Sequence, residues 1–296
     1  MGNQLKTTLL LGSLTGLIIL IGRYFGGSAG MVIAFLLAML MNCVSYWFSD
    51  KIVLRLYRTR ELSSHEAPEL YAMVNKLSQS ASLPMPKIYL IPSDAPNAFA
   101  TGRNPHHAVV AVTRGILRLL NPSELEGVLA HEIAHIKDRD ILISSIAATL
   151  AGVIMMIASM ARWAALFGGL GESDDDGGGI LGFLFLAFLA PLAAVIIQLA
   201  ISRSREYLAD STGVKIAGNP SGLAAALEKL DYTSKKIPLQ MNPATSHLFI
   251  VNPLSGKSLQ NLFSTHPPIA ERIERLRRFK RSNNGRTLNV ERMFSR

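Results

Sequence analysis

Four stretches of the chain carry no charged side chain: 7–22, 24–49, 141–161 and 177–202. A helix needs about 20 mainly apolar residues to cross a bilayer, and only the first stretch is shorter than that. Alone, that first run would also suit a cleaved leader, with Lys6 ahead of it and small residues behind. A second, longer run follows almost at once, so the pair predicts a retained hairpin of two helices. The third and fourth runs flank a turn rich in Asp and Gly and predict a second hairpin. Burial inside protein would give the same periodicity, but the run lengths and the turn favour spanning.

Between the apolar runs the pattern becomes amphipathic. Leu70, Met73, Val74 and Leu77 recur at i, i+3, i+4, i+7 and predict a helix over 68–77. The segments 87–91, 97–102 and 107–112 read as strands bounded by turn residues. Asn97, Ala98, Phe99 and Ala100 are expected to form an exposed sheet edge to which a substrate peptide could add as a further strand. Asn121, Pro122 and Glu124 supply an N-cap, a proline at the first helical position and a capping-box acid, so a helix starts there. Beyond Asn219-Pro220 come two further helices, the last with an apolar stripe of Ile269, Ile273 and Leu276. The expected architecture is mainly α with a small β-sheet. It divides into a membrane hairpin (1–50), a first catalytic part (51–140), a second membrane hairpin (141–202) and a second catalytic part (203–296).

Composition agrees with a membrane protein. The 296 residues are 49% hydrophobic and only 17% charged, against roughly 25% charged in ordinary soluble domains. The net charge of +9 could suggest nucleic acid, but its distribution explains it otherwise. Lys51, Arg55, Arg58 and Arg60 follow the second run, while Arg203, Arg205 and a basic tail follow the fourth. The turn between the third and fourth runs holds Glu172, Asp174, Asp175 and Asp176. Basic flanks stay on the cytoplasmic side, so both termini and both polar regions are expected there, with no nucleic-acid partner. The single cysteine, Cys43, excludes an intramolecular disulfide.

The candidate chemistry lies in HEIAH, at 131–135. His131 and His135 are four apart and project from one helical face, able to grip one ion. Glu132 is turned slightly away, placed to take a proton from a water at the metal's open position. A catalytic zinc takes three protein ligands, and Glu206, in SRSREYLAD, completes a His-His-Glu set. Asp210, one turn beyond, is expected to hydrogen-bond a ligand histidine and fix its tautomer. A helical hairpin through the membrane would bring these two feet together, although 71 positions separate His135 from Glu206 (206 − 135).

At this point the sequence resembles the HtpX-type membrane zinc metalloproteases. NAFATG, HEIAH, KDRD, two hydrophobic runs, REYLAD and THPP occur in that family's order over nearly the whole chain. The resemblance implies a gluzincin-like catalytic domain anchored by about four transmembrane helices and holding one zinc ion per chain. It implies His131, His135 and Glu206 as ligands and Glu132 as base. It further implies cleavage of damaged or misfolded membrane proteins at the bacterial inner membrane. His266 of THPP is expected to donate a hydrogen bond to the oxyanion, because Pro267 and Pro268 stiffen the chain beyond it.

Arg203 and Arg205 suit either oxyanion stabilisation or topology anchoring, and at least one is expected to be an anchor. His65, His106, His107 and His247 have no ligand spacing and are expected to be solvent-facing or structural. A transporter or metal sensor built on the same cluster would need polar residues within the apolar runs, and those hold no Asp, Glu, Lys, Arg or His. The prenyl-protein protease branch is expected to have more spans than four.

Overall fold

The computed structural model describes residues 3–151, 203–234, 236, 243–251 and 267–283. Its first helix, α1 (Asn3–Leu56), is not one rod. Gly27 takes φ 59°, ψ −141°, a left-handed conformation open chiefly to glycine, and the chain doubles back there. The two arms, Thr7–Leu20 and Gly26–Leu56, meet closely near the turn. A Cβ on Gly30 would stand 2.2 Å from the Gly22 carbonyl oxygen. Farther along, Asn42 donates to Thr15 Oγ1 at 2.8 Å, a polar tie of the kind that joins helices where water is absent. Leu36, Leu40 and Trp47 stay more than half exposed.

Among the described residues, only Gly26–Leu56 is both long and apolar enough to cross a membrane. Thr7–Leu20 falls short of that length. Of the third run, the structure describes α5 (Ile141–Ala151); the fourth run and the acidic turn lie outside the described residues. The expectation of about four spanning helices therefore reduces here to one helix of spanning length, with a shorter arm folded on it.

The polar part opens with β1 (Arg60–Glu61) and α2 (Pro68–Ala81). The strands β2 (Lys87–Ile91), β3 (Ala98–Gly102) and β4 (Ala108–Thr113) follow, matching the alternation read from the sequence to within a residue at each end. Sheet order is β1-β2-β4-β3. β2 and β4 are parallel, and β3 runs antiparallel to β4. A short α3 (Arg114–Leu119) leads to α4 (Pro122–Lys137), whose capping box forms as expected: Asn121 Oδ1 accepts from Glu124 N at 3.0 Å, and Glu124 accepts from Asn121 N at 2.9 Å. Beyond α5 come α6 (Arg203–Ala217), α7 (Pro220–Ser234), a 3-10 turn (Pro243–Leu248) and α8 (Ile269–Asn283).

Residues of 62–141 and 209–279 share one hydrophobic core, centred on Val128, Leu129 and Ile133 of α4. α4 packs on α6 and α7 without room to spare. A Cβ on Gly127 would stand 2.4 Å from Leu223 N, and one on Gly222 would stand 2.3 Å from Ser123 O. A second cluster joins Leu10 and Leu14 of α1 to Ile143, Ile146 and Leu150 of α5. A third sets Val53 and Leu54 of α1 against the opposite face of the sheet. α1 is thus packed on the catalytic body at both of its ends.

Candidate active site

His131 and His135 lie on the buried face of α4, one turn apart. Their Nε2 atoms stand 3.1 Å apart. Glu206, in the first turn of α6, brings its carboxylate oxygens to 3.8 Å from His131 Nε2 and 3.7 Å from His135 Nε2. One donor atom from each of the three residues falls within 4.8 Å of the others. Two imidazoles and a carboxylate form the donor set of a catalytic zinc. Bonds of about 2.0–2.1 Å in tetrahedral array place such donors roughly 3.3 Å apart. The separations fit.

The Nδ1 side of each imidazole is held by an aspartate. His131 Nδ1 donates to Asp210 at 3.0 Å, as read from the sequence. His135 Nδ1 donates to Asp140 at 3.0 Å, a partner not singled out from the sequence. Both bonds leave Nε2 as the atom turned toward the shared centre. Burial lowers the pKa of His131. For His135 burial acts the same way, but Asp140, Glu206 and Glu132 outweigh it and push the pKa up to about 10.

A second feature missed from the sequence is Arg272 of α8, fully buried. Its Nε and Nη2 form a bidentate pair with Asp210 at 2.9 and 2.7 Å, and Nη1 donates to the Ile250 carbonyl at 3.2 Å. Nη1 also stands 3.6 Å from Glu206. Burial opposes ionisation of Asp210, yet Arg272 and His131 hold its pKa at about 2. Asp210 and Arg272 are 62 positions apart in sequence, so no local periodicity pairs them.

Glu132 is 2% exposed. Burial is the largest influence on its carboxyl, with Glu206 adding to it, and the pKa rises to about 7. The backbone N–H of Ala100 donates to this carboxylate, which ties Glu132 to the outer edge of β3. That strand is an edge in sheet order, but it is not exposed: all five residues are buried. Ile250 N donates to Ala98 O at 3.3 Å, and Gly102 N reaches Ser145 Oγ at 3.4 Å. Bare strand edges invite unwanted pairing, and here other parts of the chain cover the edge. Of the four residues expected to bind substrate, only Ala100 lines the cleft. The Phe99 ring packs with Tyr57 and Phe249 on the other face, and Asn97 Nδ2 donates to Val251 O.

The cleft is also lined by Asp140, Arg205 and His247. Arg203 is exposed, whereas Arg205 is 9% exposed and its Nη1 has no hydrogen-bond partner among the described residues. His247, with no ligand spacing, is buried and donates from Nε2 to Ser144 O at 3.1 Å. The open volume is only about 30 Å³. His266 lies outside the described residues.

Residues 64–280 match the profile of Peptidase family M48. The chain is 64% identical over 280 residues to a "Protease HtpX homolog" of Syntrophobacter fumaroxidans, covering 94% of this chain and 99% of that one. It is 60% identical over 286 residues to one of Desulforapulum autotrophicum (96% and 93%), and 56% identical over 275 residues to one of Thermococcus kodakarensis (93% and 95%). In fold it is similar to the crystal structure of S. mikatae Ste24p, with a TM-score of 0.51 at 21% identity. That likeness covers 93% of this chain and 64% of the other, so this chain spans just under two thirds of Ste24p. None of these similarities supports a transporter or a metal sensor.

Proposed function

The chain belongs to peptidase family M48 and is a membrane-associated metalloprotease, and from that premise we propose a zinc-dependent endopeptidase whose ligands are His131, His135 and Glu206. The observation that carries this reading is the convergence of those three donors beside a buried glutamate. The bound ion would supply an acidified water and polarise the scissile carbonyl. Asp210 and Asp140 hold the imidazoles with Nε2 inward, and Arg272 keeps Asp210 ionised. Glu132 accepts the water's proton on its carboxylate and returns it to the departing amine. The Ala100 N–H fixes that carboxylate in place. Arg205 Nη1, buried and without a hydrogen-bond partner among the described residues, is a donor available to a substrate carbonyl oxygen. His266 is assigned a like role, as a hydrogen-bond donor to the oxyanion.

The substrates are unfolded or damaged polypeptides, membrane proteins among them, cut at the cytoplasmic face of a bacterial inner membrane that the chain crosses several times. What supports that placement is the exposed apolar α1 and the lysine and arginine residues that follow it. Purified protein should cleave casein, lose that activity to a chelator and regain it with added zinc. Persistence of cleavage in a metal-stripped preparation would defeat the proposal. His266→Ala should keep stoichiometric zinc while kcat/KM falls by roughly 10²-fold or more. Near wild-type cleavage, or loss of the metal, would remove His266 from the role given it.

A further inference from the structure

A second cleft, of about 720 Å³, lies between the hairpin α1 and the catalytic body and shares Ile141 with the active-site cleft. Its position is set by three apolar segments. The first arm of α1 enters it at Thr7 and Thr8, the second arm passes it at Tyr46, and α5 starts in it at Ile141 and Leu142. All three helices therefore begin or end their apolar course at this level. Tyr46 and Trp47 pack edge to face there, with ring centroids 5.4 Å apart. Paired aromatic rings of this kind mark the boundary between lipid and water.

The cleft is cationic on one side and apolar on the other. Arg103 comes from the loop after β3 and Arg139 from the turn between α4 and α5, and both line it. Arg103 lies over the Trp47 ring at 4.8 Å from its centroid. Arg139 holds a left-handed backbone, φ 55°, and is exposed. Among the described residues no carboxylate pairs with either arginine. The acids that flank Arg139 face elsewhere: Asp140 is buried against His135, and Asp138 is partly buried beside it. His106 adds an imidazole to the lining, and Leu11, Leu83 and Leu142 give an apolar wall.

Two guanidinium groups with no carboxylate partner among the described residues, over an apolar wall at the level where helices enter lipid, match one chemical class. We propose that this cleft binds the phosphate-bearing headgroup of an anionic phospholipid, with its acyl chains lying along α1. Arginine presents donors in the fork that phosphate oxygens accept, and basic recesses between membrane helices on the cytoplasmic side bind anionic headgroups. The apolar wall distinguishes the site from one for free phosphate, which would gain nothing from Leu11 and Leu142. A bound headgroup would tie the loop after β3 and the turn after α4 to the hairpin. The proposal is separate from the zinc chemistry and rests on the placement of α1 in lipid.

Trp47 supplies the readout. In a full-length Trp163→Phe protein held in neutral detergent, Trp47 is the remaining tryptophan, and its fluorescence reports quenching by brominated lipid. Brominated phosphatidylglycerol should quench it saturably, at a mole fraction roughly 10- to 30-fold below that needed for brominated phosphatidylcholine. Arg103→Gln with Arg139→Gln should abolish that preference. Arg103→Lys with Arg139→Lys should keep most of it, and both double variants should still melt cooperatively and cleave casein. Equal quenching by the two lipids, or an unchanged preference in the glutamine pair, would overturn the proposal. Displacement of the lipid by millimolar inorganic phosphate would make this a free-anion site, and displacement by polyglutamate an acidic-peptide site; each overturns it too. If neither lipid quenches Trp47 and the protein stays monodisperse without detergent, the membrane placement itself fails, whatever becomes of the zinc site.

Discussion

At the scale of single residues, the site depends on what each carboxylate must do with its proton. Glu132 has to be ionised to act as a base, and burial has raised its pKa to about 7. Activity should therefore fall as pH drops through 7. A cation at the ligand centre favours the carboxylate and moves that limb to lower pH. A kcat/KM profile rising toward acid would contradict the role. Glu132→Gln should keep the metal and lose cleavage, which zinc content and casein turnover check together. Asp210 and Arg272 form a buried pair, and removing one partner leaves the other buried without its main counter-charge, at a cost of about 3–5 kcal/mol. Arg272→Ala should be destabilising by that order, and the Arg272→Ala, Asp210→Ala double variant by less than the sum of its singles. Additive losses in a denaturation series would mean that the two residues act independently. The three convergent donors and Asp210 could be picked out in the sequence because each pair repeats at one helical turn. Arg272 was not, because its partner lies on another helix. Asp140 was in plain view within KDRD, but five positions from His135 it has no helical-turn spacing, and only the turn after α4 brings it back onto His135.

At the scale of elements, local chemistry made most of the fold readable. The capping box at Asn121 and the alternation in β2 and β4 need no tertiary knowledge. What escaped was the fate of β3, since its outer edge is closed by Ile250, Glu132 and Ser145 from distant parts of the chain. Helix packing is similarly hidden in the sequence. Gly127 and Gly222 look like poor helix residues, yet each removes a side chain that would collide with backbone. Gly222→Ala must push α7 from α4, and overpacking of this kind costs about 1–3 kcal/mol. A clear fall in Tm is expected, and an unchanged Tm would mean that the two helices separate freely. Because α4 carries both histidines, the same variant should also weaken metal retention.

On the scale of the whole molecule, the catalytic body and the hairpin share packed surfaces rather than a linker. Asp140 holds His135, and Ile141 opens α5 one residue later, so metal chemistry and the next apolar helix are one residue apart. The lysine and arginine asymmetry predicts that reporters fused within 171–178, outside the described residues, read as periplasmic. Fusions after residue 60 and at the C-terminus should read as cytoplasmic. A cytoplasmic signal from 171–178 would show that the second hairpin does not span.

The closed edge of β3 has a kinetic meaning. The cleft has room for little more than a water or two, and on the reading proposed above a polypeptide that paired with β3 beside Glu132 would have to displace residues 249–251. Three hydrogen bonds hold that segment, from Ile250 to Ala98, from Asn97 to Val251 and from Arg272 to Ile250, each worth about 1 kcal/mol net. On that reading the molecule would compete with its own substrate for one strand position. A folded client must unpair a strand of its own at the moment the enzyme does, and two uncommon openings rarely coincide. A client whose backbone is already unpaired would wait only for the enzyme, so on this reading an unfolded chain should be cut faster than the same chain folded.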